Sequence, residues 1–290
     1  MNANKEYLNL PLEFWANIKF ISQKCGYADR ETKNIKVPTI AELKKAYKSN
    51  NLDYSKIIEK DELTAEGALI IGYLRHRADV LDNFVEKHLM KVAEAKELFH
   101  TLKNALNPKC PLPLNKQKGD KKDFAFLTGI VNMLIESHSG SCPCNYDPKE
   151  LTAITQDRFP VRTLSRRVDG AFPSVINPIA IWEIKEYYYT TTFGSRVADG
   201  VYETLLDGLE LKEAKENTGS HIEHYLIIDD YFTWWTLGRS YLCRIIDMLH
   251  MGILTEAIFG KEVVDRIPVI VEGWLKKVNM DKNESLNLFS

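Results

Sequence analysis

The run Ile179-Ala180-Ile181-Trp182-Glu183-Ile184-Lys185 constrains this chain more than any other stretch. In a strand its side chains alternate, so Ile181, Glu183 and Lys185 share one face while Ala180, Trp182 and Ile184 share the other. Glutamate and lysine set into an apolar run are costly unless paired or put to use, because unpartnered buried charge is strongly unfavourable. The run therefore calls for a sheet with a polar spot on one of its buried faces.

The residues upstream, Arg166-Arg167-Val168-Asp169-Gly170-Ala171-Phe172, form a second strand-like run that meets the first across a turn. Antiparallel pairing of the two would bring Asp169 near Glu183. Two carboxylates held that close favour a divalent cation between them. Around this pair the periodicity predicts a helix over 123–137, a strand pair within 163–189, a helix over 195–216 and a strand over 224–229. A helix over 239–259 and a last strand over 267–271 complete the reading. Alternating strands and helices of this kind imply an α/β domain with a mixed central sheet flanked by helices.

Before residue 107 the pattern is helical, rich in Lys, Glu, Ala and Leu. Thr39 followed three residues later by Glu42 is a capping-box signature, and Ile40, Leu43 and Tyr47 then line one apolar face. Lys44, Lys45 and Lys48 lie opposite and are candidates for phosphate contact. Pro108, Pro111, Pro113 and Gly119 interrupt all periodicity, so 108–122 reads as a linker between a helical region, 1–107, and a second domain, 123–290.

Lys and Arg total 38 against 40 Asp and Glu, a formal charge of -2, so the chain as a whole does not attract a polyanion. Any nucleic-acid surface must be local, and Arg166, Arg167 and Arg196 join the three lysines as candidates. Arg196 follows Phe193-Gly194-Ser195 at a helix start, where free backbone N–H groups offer a phosphate seat and Ser195 offers a cap. Five cysteines, an odd number, and an N-terminus without an apolar leader point to the reducing cytoplasm. The apolar stretches are too short and too charged to span a membrane. His138, Cys110, Cys142 and Cys144 raise a zinc or iron site, but Cys-Pro-Cys is narrow for one and no second close pair exists, so they read as unligated.

The order Asp169, spacer, Glu183-x-Lys185, carried on two strands between helices, resembles the PD-(D/E)xK nuclease superfamily, which includes many type II restriction endonucleases. The resemblance covers 123–230, with Val168 where the family often has proline. It implies a restriction-endonuclease-like fold in which Asp169 and Glu183 hold Mg²⁺ and Lys185 completes the catalytic set. The family often adds an acid from an upstream helix, and Glu136 is the candidate here, although the pattern leaves open whether it faces the cleft or water. The implied activity is hydrolysis of double-stranded DNA, most simply by a sequence-specific restriction enzyme acting as a homodimer. A repair or antiphage nuclease is the neighbouring reading. A DNA-binding or scaffold protein whose Asp169, Glu183 and Lys185 form only a structural ion network is the rival from another class.

Overall fold

The structure is a computed structural model describing residues 1–29, 31–32 and 34–287, with side chains described through residue 279. It opens with helices α1 (Leu12–Cys25) and α2 (Ile40–Lys48), a small hairpin of β1 (Ile58–Glu59) and β2 (Glu62–Leu63), and α3 (Ala65–Val80). A π-helical turn, Leu81–Val85, carries α3 into a last short turn, α4 (Glu86–His88). The capping box at α2 forms as its sequence dictates: Thr39 accepts from the Glu42 N–H, and the Glu42 carboxylate accepts from the Thr39 N–H. Leu43 and Tyr47 are buried in the N-terminal core with Phe14, Trp15, Ile18, Ile70 and Tyr73.

The second part of the chain contains α5 (Val92–Leu106), α6 (Phe126–Ser139), α7 (Ser195–Thr218), α8 (Arg239–His250) and α9 (Val263–Asn287). Its strands are β3 (Asn145–Tyr146), β4 (Ala153–Gln156), β5 (Phe159–Thr163), β6 (Gly170–Phe172), β7 (Ala180–Glu186), β8 (Glu223–Asp229) and β9 (Glu256–Phe259). Five of these form one sheet in the order β3-β6-β7-β8-β9, while β4 and β5 pair as a separate antiparallel ribbon. The pairings β3/β6 and β6/β7 are antiparallel, β7/β8 and β8/β9 parallel, so the sheet is mixed and the fold is α/β. Among the described residues no helix is long and apolar enough to cross a membrane.

The alternation along β7 is realised in the packing. Ala180, Trp182 and Ile184 join α6 and α9 in the larger apolar core, while Ile181 turns to the other face with Leu211 and Ala214 of α7. Burying a side chain such as Ile181 contributes about 1.5–3 kcal/mol, so the two cores fix which way β7 faces. Glu183 and Lys185 are thereby forced onto the α7 side.

Three expectations from the sequence are corrected. The segment 267–271 lies within α9 rather than in a strand, because Ile267, Ile270, Val271 and Trp274 repeat at the helical period and all four are buried on one side. The helix expected over 239–259 ends at His250; Gly252, with φ +71°, turns the chain, and Glu256–Phe259 becomes β9 beside β8. Third, the proline-rich segment 108–122 packs rather than spaces. Cys110 is buried with α5 and α6, Asn132 Nδ2 donates to the Pro111 carbonyl at 2.8 Å, and the Ala125 N–H donates to the Pro113 carbonyl at 2.9 Å. Ala95 and Phe99 of α5 sit in that same core, so α5 belongs with the sheet and not with the helices before it.

Candidate active site

Asp169 lies one residue before β6, where the antiparallel pairing places Gly170 opposite Trp182. A Cβ at Gly170 would come within 2.0 Å of the Trp182 indole, so only glycine lets the two strands pair this closely. The register hands Asp169 its partner: its Oδ2 accepts from the Ile184 N–H at 2.7 Å. Glu183 and Lys185 flank that amide on the same face, and Lys185 Nζ donates to Glu183 Oε2 at 2.8 Å. The three residues singled out by the sequence thus converge on one side of the sheet.

Helix α7 covers them. Gly200, Thr204 and Gly208 follow one another at intervals of four and are buried against the sheet. A Cβ at Gly200 would meet Tyr187 Oη at 2.8 Å and the Lys185 stem at 3.3 Å; one at Gly208 would meet Ile253 at 2.3 Å. This line of small residues brings the helix close, and it aims Glu203 and Asp207 at the cluster. Lys185 Nζ donates to Glu203 Oε2 at 3.2 Å. Neither acid was singled out from the sequence; the Gly-x-x-x-Thr-x-x-x-Gly spacing was the available signal, because it marks the face of α7 that meets β7.

Arg166 closes the cluster. Its Nη1 donates to Asp207 Oδ2 at 2.5 Å, and its Nη2 donates to Glu183 Oε2 and Glu203 Oε2, both at 3.2 Å. Glu183 Oε1 lies 3.0 Å from Nη1, off the N–H direction, and has no directed donor; Asp207 Oδ1 has none either. Four carboxylates, Asp169, Glu183, Glu203 and Asp207, therefore surround two cations.

The titration behaviour follows. Burial and the Glu183 charge push Asp169 up to about 6. Burial would also raise Glu183, but Lys185 and Arg166 outweigh it and hold the carboxyl low. Asp207 is pushed up to about 7 by burial and by Glu183. On Lys185 burial opposes the charge, and the Glu183 and Asp169 carboxylates override it and raise the pKa. His224, on β8 beside this face, is fully buried and driven down to about 4, so it is neutral.

The remaining candidates lie elsewhere. Glu136 is on α6, which packs on the Trp182 and Ile184 face, opposite Glu183; its Oε2 accepts from the Lys109 N–H at 2.9 Å. Lys45 and Lys48 are exposed on α2, while Lys44 pairs with Asp61. Arg167 and Arg196 are exposed. Ser195 is the first helical residue of α7 and not its cap, which is Gly194 with no side-chain bond. The five thiols are free.

Among the described residues no group of three or more His, Cys, Asp or Glu side chains is placed to hold a metal ion. Asp169 and Glu183 nevertheless suit Mg²⁺, which is commonly held by one or two carboxylates with water and substrate phosphate completing the shell. Both supply hard oxygens, one of them the buried Oε1 without a donor.

The family described as Domain of unknown function (DUF7687) matches residues 90–274, and a second, described as Domain of unknown function (DUF7690), matches residues 1–84. The first match spans more than half of the chain, and the chain belongs to that family. It also begins just before α5, where the packing changes from the N-terminal helices to the sheet. No curated protein and no solved structure matches the chain.

Proposed function

We propose that this chain is a metal-dependent nuclease with a restriction-endonuclease-like fold that hydrolyses phosphodiester bonds of double-stranded DNA. The observation that carries the reading is the convergence of Asp169, Glu183 and Lys185 on one face of β6 and β7, inside a cluster with more carboxylates than cations. An ion network serving packing alone has no need of the extra buried carboxyl groups of Asp169 and Asp207, whose raised pKa values show that burying them is costly.

In this reading Asp169 and Glu183 supply the oxygens that hold Mg²⁺. An ion held there would supply Lewis acidity toward the scissile phosphate and an attacking water. The Ile184 amide fixes the Asp169 carboxylate so that it need not reorganise during the reaction. Lys185, held by Glu183 and Glu203, presents a fixed positive charge to the phosphate as negative charge builds on it.

Sequence-specific restriction by a homodimer is the form proposed first, since a single constellation per chain needs two copies to cut both strands, and closed two-fold pairs match palindromic DNA. The free thiols suit the reducing cytoplasm. The test is incubation of the purified chain with unmethylated phage DNA and Mg²⁺, with a chelator as control. Discrete fragments support restriction, and a smear supports a repair or antiphage nuclease. Intact DNA in every divalent metal leaves the structural ion network as the better account.

A further inference from the structure

We propose that Arg166 is a tethered counter-cation: it holds Glu183 while the site lacks metal and yields that carboxylate when a divalent ion binds. The inference rests on the metal-dependent reading above. Its basis is the crowding around Glu183, whose side chain has no exposed surface and is shared by two cations, Lys185 at 2.8 Å and Arg166 at 3.0 Å. A divalent ion on the same carboxylate repels both.

The two cations are not equally free to leave. Lys185 projects from the middle of the sheet, its side chain 9% exposed and its stem beneath Gly200 of α7. Arg166 comes from the irregular segment between β5 and β6, and its side chain is 23% exposed. Of the two, Arg166 lies outside the sheet and its side chain has the greater access to solvent, while Leu164 and Val168 anchor the backbone on either side of it. Its planar fork also has an obvious second partner once released, because guanidinium binds phosphate with two parallel hydrogen bonds. In the metal-free protein that fork is occupied by Glu183, Asp207 and Glu203. Arg166 then couples the two ligands: metal frees the arginine, and the arginine binds the DNA backbone.

The experiment uses Mn²⁺ alone as probe, titrated calorimetrically into the full chain without DNA. Replacing Arg166→Gln removes the competing cation and is expected to tighten Mn²⁺ binding by about tenfold or more, opposite to what loss of a merely structural residue does. A short duplex titrated with and without Ca²⁺ gives the second readout: metal strengthens duplex binding by the wild-type chain more than by the variant. Equal or weaker Mn²⁺ binding by a folded R166Q, with wild type binding normally, overturns the inference and leaves the metal-dependent reading standing. Absence of Mn²⁺ binding in both overturns the two together. Should R166Q alone fail to fold, the double variant R166Q/D207N removes one of the carboxylates it strands and is read by the same criteria.

Discussion

Two ion networks, each with an arginine bound to a buried carboxylate, differ in how their charges balance. At the joint between the N-terminal helices and the sheet, Arg77 of α3 donates from Nη1 to both oxygens of Asp247 on α8 at 3.0 Å, and from Nη2 to Ser22 at 2.9 Å. Tyr73 adds a hydrogen bond to Asp247 at 2.6 Å. One cation meets one anion, and both carboxylate oxygens have donors, leaving Arg77 Nε as the buried atom of the joint without a partner among the described residues. Around Glu183, four carboxylates meet two cations, and Glu183 Oε1 and Asp207 Oδ1 lack directed donors. Balance suits a joint whose work is done on folding; imbalance is what the proposed metal-dependent site requires.

The largest expected effect tests the joint. Asp247→Ala strands the Arg77 guanidinium, which is 1% exposed, and breaking a buried pair from one side costs about 3–5 kcal/mol. Glu183→Gln keeps the side-chain shape and leaves Lys185 and Arg166 with Glu203 and Asp207, so its expected cost is smaller, about 1–2 kcal/mol. Urea midpoints measure both. Equal losses would put the two networks in one class and remove the contrast.

Next in size is an effect on rate. Lys185→Ala is expected to lower DNA cleavage about 10²–10³-fold, the usual result of deleting a donor aimed at developing charge, while the chain stays folded and its metal affinity is retained or raised, because Lys185 also competes for Glu183. Single-turnover cleavage and calorimetric metal titration separate the two readouts. Undiminished cleavage by folded Lys185→Ala removes it from the catalytic set.

The sequence made one side of this comparison legible and not the other. The polar spot on β7 was readable because strand alternation has period two and Glu183 and Lys185 stand out in an apolar run. The α2 cap was readable because Thr39 and Glu42 bond within one turn. The joint was not: Arg77 and Asp247 are 170 residues apart, and nothing local to either announces the other. Arg166 was read as a DNA contact, since a basic cluster ordinarily faces solvent, but three acidic side chains from β7 and α7 draw it inward. In the segment 267–271 a β-branched run outweighed a helical period that becomes clear only when Trp274 is counted with it.

A smaller effect concerns the site at high pH. Asp207 is pushed from 3.8 up to about 7, so the native state keeps a proton that the unfolded chain gives up. The stabilisation from that retained proton is full below 3.8 and is lost as pH rises toward 7. Asp207→Asn removes the titration, and the variant is expected to be about 1–2 kcal/mol more stable than wild type at pH 8, with no such gain at pH 4. Denaturant midpoints at the two pH values check it, and a loss of stability at pH 8 would mean that Arg166 needs the Asp207 charge for folding.

The smallest expected effect returns to the joint and has the opposite sign. His250 Nδ1 lies 2.8 Å from the Ile246 carbonyl and donates to it, so its Nε2 is an acceptor. The Asn4 N–H and His76 Nε2 both approach that nitrogen at 3.2 Å. Protonating His250 would put an N–H against the Asn4 N–H, pushing the N-terminal segment away from α8. Burial lowers the pKa of both histidines; Asp79 and Glu6 oppose the shift at His76, and at His250 the Ile246 carbonyl and Asp247 oppose it while His76 adds to it. A base depressed on folding is neutral in the native state and takes up its proton more readily when unfolded. Its contribution is present above the unfolded value of about 6.5 and is lost as pH falls from there toward the folded value. His250→Gln removes this titration, so between pH 7 and pH 5 the variant's unfolding midpoint is expected to fall less than that of wild type. Hydrogen exchange at the α3 and α8 amides locates the change. An unaltered acid slope in His250→Gln would move the sensitivity to His224, whose pKa is driven down to about 4 beside the Glu183 cluster, and the joint would then be indifferent to pH.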